Sequence, residues 1–335
     1  MSSICNRSCD KCNLQLHCQG CSFCEVPFCK KDCYQCSSLC PKRGGSFRYL
    51  RQLGGGEVKL HENVYYDLPD LIPVLKDRLS ENLDVGNIVG IHSTGFFTSN
   101  GEEINKRFIN KGLAEALNLS EDTKGVLEFY VKDRTLEGFW DKRKEIYKEL
   151  KQLSWSVVIA PNFSVYEDAP RVDHLYNMKR ASIVYNEMIE IGLPAVPDLT
   201  WYNQIDLDQW IREINKNNIK TISYSFQVTD IRLKHSSWWR HYLMGFRYMC
   251  QRIPEDVQII IAGIVSPNRL NPIKRAAGKR KLIILNQTAY LQSRRGILSE
   301  TGYKADESMS KNQIFMRNLE FYRKHYEALN RKGQW

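Results

Sequence analysis

The 335-residue chain lacks a long apolar run; its longest nearly continuous one, residues 257–265, is nine residues and includes Gln258. A helix that crosses a bilayer needs roughly 20 apolar residues, so no membrane span and no membrane partner are expected. The first thirty residues hold no apolar signal core, which leaves export without support and a cytoplasmic setting as the expectation. Neither a G-x-x-x-x-G-K-[ST] loop nor a G-x-G-x-x-G turn after a strand-like run occurs, so the common nucleotide-binding folds lose their fingerprint. His92 has no second His at ligand spacing, which argues against a His-built catalytic metal site. Acidic residues are the minority, 38 against 48 Lys and Arg, for a formal charge of +10.

Cysteine, by contrast, is concentrated. Ten of the eleven Cys lie at one end: Cys5, Cys9, Cys12, Cys18, Cys21, Cys24, Cys29, Cys33, Cys36 and Cys40. That segment has too few apolar residues to fold on a core of its own, and with no sign of export disulfides lack a compartment to form in. Metal is the better reading than disulfides, because thiolates two or three residues apart can turn back onto one ion. Cys18-x2-Cys21 and Cys33-x2-Cys36 have the spacing of paired zinc knuckles, and the set suffices for two or three zinc ions. The alternative is one or two iron–sulfur clusters, since Cys33-x2-Cys36-x3-Cys40-Pro41 matches the end of the bacterial ferredoxin run. Cys5-x3-Cys9-x2-Cys12 is also similar to the cluster motif of radical S-adenosylmethionine enzymes. It departs from that family in having Lys11 before the last Cys and no strand ahead of it. Cys250 falls on an apolar helical stripe with Trp239, Leu243, Phe246 and Met249 and is expected in the core.

Beyond the punctuation at Gly44-Gly45 and Gly54-Gly55-Gly56, short β-branched runs alternate with amphipathic stretches. The runs are 88–92, 126–131, 155–160, 194–199, 221–226, 257–264 and 281–285, with 64–68 as a candidate eighth. Helical periodicity fills 139–153, 171–191, 206–217 and 238–252 between them. Runs apolar on both faces read as parallel strands covered by helices. Seven or eight such units predict an α/β fold of (β/α) barrel type, complete or distorted, carrying a small N-terminal Cys-rich module. The expected organisation is a metal-binding module over 1–48, the barrel over 49–300 and a basic amphipathic helix within 301–335.

In a (β/α) barrel the chemistry gathers where strands end and βα loops begin. The polar residues at those places are the candidates. Asp133, Asp168 and Asp198 are the expected acid, base or nucleophile. Asn162, Tyr166, Trp201, Gln227, Arg269, Gln287, Arg294 and Arg295 are the expected substrate and phosphate contacts, the arginines by bidentate pairing. Each also has a plain role. Asp168 suits a helix start two residues before Pro170, Asp198 suits a turn after Pro197, Trp201 suits packing, and His92 suits a hydrogen-bonded strand end. Charge adds a partner class. Residues 269–335 hold 15 Lys/Arg against 5 Asp/Glu, and residues 1–48 hold 7 against 3. Basicity at both ends points to nucleic acid or another polyanion.

Ala160-Pro161-Asn162-Phe163-Ser164-Val165-Tyr166, then Pro170-Arg171, then Pro194-Ala195-Val196-Pro197 with Trp201, resembles the domain-of-unknown-function 4417 family over about residues 155–295. The resemblance implies the company of bacterial, phage and mobile-element proteins and brings no settled activity or catalytic residues. The expected protein is therefore a metal-binding barrel that acts on nucleic acid or a nucleotide-like anion. The alternatives are a non-catalytic nucleic-acid binder and an iron–sulfur redox or radical enzyme. Elemental analysis of anaerobically purified protein separates them: zinc at two or three ions per chain and a colourless solution are expected. Iron with visible thiolate-to-iron absorption would move the chain to the redox class.

Overall fold

The computed structural model describes residues 44–166, 169, 171–227 and 237–332, with backbone alone for 44–47, 237–238 and 329–332. The chain enters on α1 (Gly44–Gln52) and runs through an extended strap to β1 (Leu71–Leu75), β2 (Ile88–His92) and a short turn of helix, α2 (Ser93–Phe96). There follow α3 (Lys106–Leu117), β3 (Lys124–Glu128), α4 (Asp133–Leu150), β4 (Trp155–Ile159), α5 (Arg171–Glu190) and β5 (Ala195–Val196). The second half repeats the alternation: α6 (Gln204–Lys216), β6 (Thr221–Ser225), α7 (Ser237–Cys250), β7 (Gln258–Ala262), α8 (Pro267–Ala277) and β8 (Leu282–Asn286). Two helices close the chain, α9 (Thr288–Arg294) and α10 (Lys311–Lys332).

All seven ladders are parallel, in the order β5-β4-β3-β2-β1-β8-β7-β6. The two ends of that ribbon meet. Ser223 N donates to Pro197 O at 2.9 Å and Leu199 N to Ser223 O at 3.0 Å, and Asp198 and Ser223 form a parallel bridge. The eight strands thus close into the expected (β/α) barrel. Side chains alternate across each strand, and the two faces fill separate cores. Ile72, Val74, Val126, Val157, Ile159 and Val196 pack with Ile260, Ala262, Ile283 and Leu285 inside the barrel. The outward set, including Ile91, Leu127, Val158, Ile222, Ile261 and Ile284, packs under the helices. Inside, Gly90 is required by space: a Cβ there would stand 2.6 Å from Val74 Cγ2.

The candidate eighth strand over 64–68 is corrected. The eighth strand is β1, whose Pro73 removes a ladder donor and disguises it. Residues 57–68 instead form the strap. Glu213 and Gln209 of α6 accept from Leu60 N and Val58 N. Asn63 does a strand's work with its side chain, accepting from Lys220 N at 2.8 Å and Thr221 N at 3.1 Å and donating to Thr221 O at 2.8 Å. Tyr66 and Leu68 then plug the N-terminal end of the barrel, Tyr66 OH donating to Ala195 O and Leu68 joining the inner core.

Helix α10 belongs to the outer layer. Its buried Ile314, Phe315, Leu319, Tyr322 and Tyr326 face α9, α8 and β1, while Arg317 and Lys324 pair with Glu300 and Glu320. Cys250 is buried in the core as expected, and burial pushes its thiol up to about 12. Among the described residues no helix is long and apolar enough to cross a membrane.

The starts of α5 and α6 are locked by one buried ion pair. Arg171 donates both terminal nitrogens to Asp206, 5% and 0% exposed, while Asp206 also accepts from Tyr202 N and Asn203 N in the capping box of α6. Asp206→Ala should cost about 3–5 kcal/mol in a denaturant melt, because it strands a buried guanidinium and strips a cap together. Replacing both partners by leucine should recover most of that loss.

Candidate functional site

The strand period decides which polar residues turn into the barrel. His92 ends β2 two residues after Gly90, and Glu128 ends β3 two residues after Val126. Tyr130 and Asp198 lie two residues further along the same inward rows as Glu128 and Val196. Ser223 of β6 completes the set across the seam. The result is a polar layer at the C-terminal ends of the strands, above the apolar filling. His92 is 9% exposed, Glu128 2% and Asp198 1%.

The contacts are specific. Tyr130 OH donates to Asp198 Oδ1 at 2.8 Å and lies 2.9 Å from Ser223 Oγ, and Asn162 Nδ2 donates to Asp198 Oδ2. His92 Nδ1 accepts from Thr94 N at 3.1 Å, so in the neutral ring the proton sits on Nε2. That nitrogen is 3.5 Å from Glu128 Oε1. Glu128 Oε1 is buried and has no hydrogen-bond partner among the described residues.

Burial sets the protonation states. It pushes the Glu128 carboxyl up to about 8, with the Asp198 charge adding to the rise. Burial also pushes Asp198 up to about 6, held back by hydrogen bonds from Tyr130, Asn162 and Ser223. His92 falls to about 4, through burial first and the Lys76 charge second. At neutral pH the layer therefore holds a carboxylic acid at Glu128, a carboxylate at Asp198 and an uncharged imidazole. The 3.5 Å His92–Glu128 contact is therefore one between neutral groups and not an ion pair.

The sequence candidates distribute unevenly. Asp198 and Asn162 sit in the layer. Asp133 is the first residue of α4, where its carboxylate accepts from Ser164 Oγ at 2.7 Å and Tyr166 OH at 2.8 Å, anchoring the loop after β4. Trp201 is buried, stacked on His241 at 4.6 Å with its indole N–H on Tyr224 OH. A Cβ at Gly245 would stand 2.2 Å from its ring, so α7 packs directly onto the indole. Gln227 is exposed after β6, its N–H on Ser225 Oγ. Arg269 lies over the Trp239 ring at 4.4 Å, and Gln287 precedes α9. Arg294, at the end of α9, lies near enough to the loop after β1 to help lower the Asp77 carboxyl, chiefly a work of Arg107; Arg295 is exposed beside it. Asp168 and the ten cysteines from Cys5 to Cys40 lie outside the described residues. Among the described residues no group of three His, Cys, Asp or Glu side chains is placed to hold a metal ion.

Glu128 and Tyr130 were missed by the sequence reading, and Ser223 with them. The signal was present: Glu128 is a lone carboxylate inside an apolar strand run, where an ionised group is too costly to bury without a reason.

A family model described as Domain of unknown function (DUF4417) matches residues 99–267, half of the chain. The match takes in Glu128, Tyr130, Asn162, Asp198 and Ser223 and leaves His92 outside. No curated protein matches the chain.

The raised carboxyls have a sign in stability. The Glu128 acid form contributes stability that is fully present below the ordinary carboxyl range and is lost as pH rises towards about 8. His92, lowered, acts oppositely and loses its contribution as pH falls from about 6.5 towards about 4. Glu128→Gln should leave the thermal midpoint near pH 5 little changed and raise it relative to the parent at pH 8; equal midpoints at both pH values would remove the buried-acid assignment.

Proposed function

The chain belongs to the DUF4417 family, and from that premise we propose that the polar layer is an acid–base active site acting on nucleic acid or a nucleotide-like anion. The observation that carries the proposal is the pairing of Glu128 and Asp198. Two carboxyl groups share one buried layer at the end of the barrel where chemistry is usual, with environments that leave one protonated and one ionised at neutral pH. In this reading Asp198 takes a proton, its lone pair aimed by Tyr130 and Asn162, while Glu128 gives one. Neutral His92, closest of the three to solvent and 3.5 Å from Glu128 Oε1, has its Nε2–H free to donate to a bound substrate.

The anionic class of substrate is supported by the cations around that end. Lys76 is near enough to act on His92, and Arg294 and Arg295 follow β8. We assign Asn162 to substrate positioning through Asp198, and Asp133 to holding the 162–166 loop rather than to proton transfer. The ten cysteines are proposed to hold two or three zinc ions, on the support of their x2 spacings, with iron–sulfur as the alternative. A reducing, cytoplasmic setting suits so many thiols.

Incubating the protein with nucleotides and oligonucleotides and following products by mass spectrometry tests the reading. Glu128→Gln and Asp198→Asn should each lower turnover by at least about a hundred-fold. The parent should show a bell with limbs near pH 6 and pH 8, since the rate needs Asp198 ionised and Glu128 protonated. Full turnover in both variants would reduce the layer to a polar seam of the barrel. Oligonucleotide binding with no turnover would favour the non-catalytic binder.

A further inference from the structure

Charge on the outer layer of the barrel is segregated. On α4, five acidic residues face five basic ones along the sequence DRTLEGFWDKRKEIYKEL. The neighbouring α5 takes up several of those charges: Arg143 and Lys144 pair with Glu187, and Arg180 pairs with Glu137. Helices α7 and α8 are different. They pack side by side, and neither contains a single Asp or Glu. The exposed stripe of α7 runs through Arg240, Met244 and Arg247; that of α8 includes Arg275 and is followed by Lys279. Among the described residues none of Arg240, Arg247, Arg275 and Lys279 has an ion-pair or hydrogen-bond partner.

Unpaired cations gathered on one face repel one another and gain by meeting a polyanion. We propose that the α7–α8 face is a docking surface for the phosphate backbone of nucleic acid, which it holds without reading sequence. Arg240 and Arg247 are about 10.5 Å apart along the helix axis, so the face offers successive contacts to a chain of phosphates rather than a pocket for one. The exposed residues of α8 also include Asn268 and Asn271, amides of a kind that donates to phosphate and sugar oxygens. A lipid surface would call for several exposed apolar anchors, and an acidic protein for an apolar centre. On these two helices Met244 is the one large apolar side chain exposed among those described. The proposal rests on the polyanion reading of the active site for the chemical class of its partner, while its residues and geometry are separate from that site.

Fluorescence anisotropy of the full-length protein with labelled single- and double-stranded oligonucleotides, across a salt series, tests it. The four substitutions Arg240→Ser, Arg247→Ser, Arg275→Ser and Lys279→Ser together should weaken binding at least about ten-fold at low salt and flatten the log–log salt slope by roughly 0.7–0.9 for each phosphate no longer neutralised. The exposed pair Lys142→Ser and Lys148→Ser on α4 should change affinity by less than about two-fold. The flank is judged by oligonucleotide affinity in the four-fold variant and the proton-transfer chemistry by turnover in Glu128→Gln, so that failure of one and failure of the other are told apart. Parental affinity and slope in the four-fold variant, with an unchanged melt, would overturn the proposal, as would a parent that binds no oligonucleotide. Displacement of the oligonucleotide by polyglutamate at equal charge would overturn it too, assigning the face to an acidic polypeptide.

Discussion

Between β5 and β6 the ring is held by two backbone hydrogen bonds around Asp198 and Ser223, and the inward side chains of the same two residues meet at the Tyr130 hydroxyl. The ladder there is short because Pro194 and Pro197 bracket β5 and leave it two residues long. A polar cluster at that seam is cheap in one respect and costly in another. It ties three strands together across the weakest joint. It also takes a carboxylate out of water, which is tolerable because Tyr130, Asn162 and Ser223 supply donors to it. Barrel closure and the polar layer at the top of the barrel therefore depend on one arrangement, and a change at Asp198 acts on both.

Most of the fold was legible because both-face burial leaves an unambiguous trace. The runs around β2, β4, β6, β7 and β8 fall within a few residues of the observed strands. The expected helices over 171–191 and 238–252 coincide closely with α5 and α7. What escaped detection was β1, where Pro73 interrupts a short apolar run that nonetheless pairs with β2 on one side and β8 on the other. The strap over 57–68 was unreadable for another reason. Asn63 replaces a strand's backbone with a side-chain amide, and no periodicity encodes that substitution.

The site was half legible. Asn162 could be chosen because it follows a strand-like run and Asp198 because it stands near the end of one, where βα-loop chemistry begins. Glu128 could not be chosen by that rule, since it ends β3 within the barrel and its neighbours Leu127 and Phe129 mask it. Strand parity would have found it: with Val126 facing in, Glu128 and Tyr130 must also face in. Trp201 shows the converse. It holds a loop position after a strand, yet α7 lies close enough to seal the indole into the core.

An orphaned buried atom is weak testimony by itself, because the barrel has several. Gln258 Oε1 at its N-terminal end and Asn286 Nδ2 at its C-terminal end also lack partners among the described residues. Each such group costs about 1–3 kcal/mol. Those two belong to neutral amides whose other atoms are used, Gln258 Nε2 on Tyr66 O and Thr221 Oγ1, Asn286 Oδ1 on Ala289 N. Their residual cost brings no new chemistry, since an amide neither gains nor loses a proton near neutrality. Glu128 differs because its orphan oxygen belongs to a group that can give up a proton. Asp198 beside it favours the protonated form, and His92 Nε2 stands too far away to form a strong hydrogen bond with it. A glutamine would fill the same space without that charge problem. Of these three buried groups Glu128 is therefore the one whose charge can change with pH, which sets it apart from the two amides.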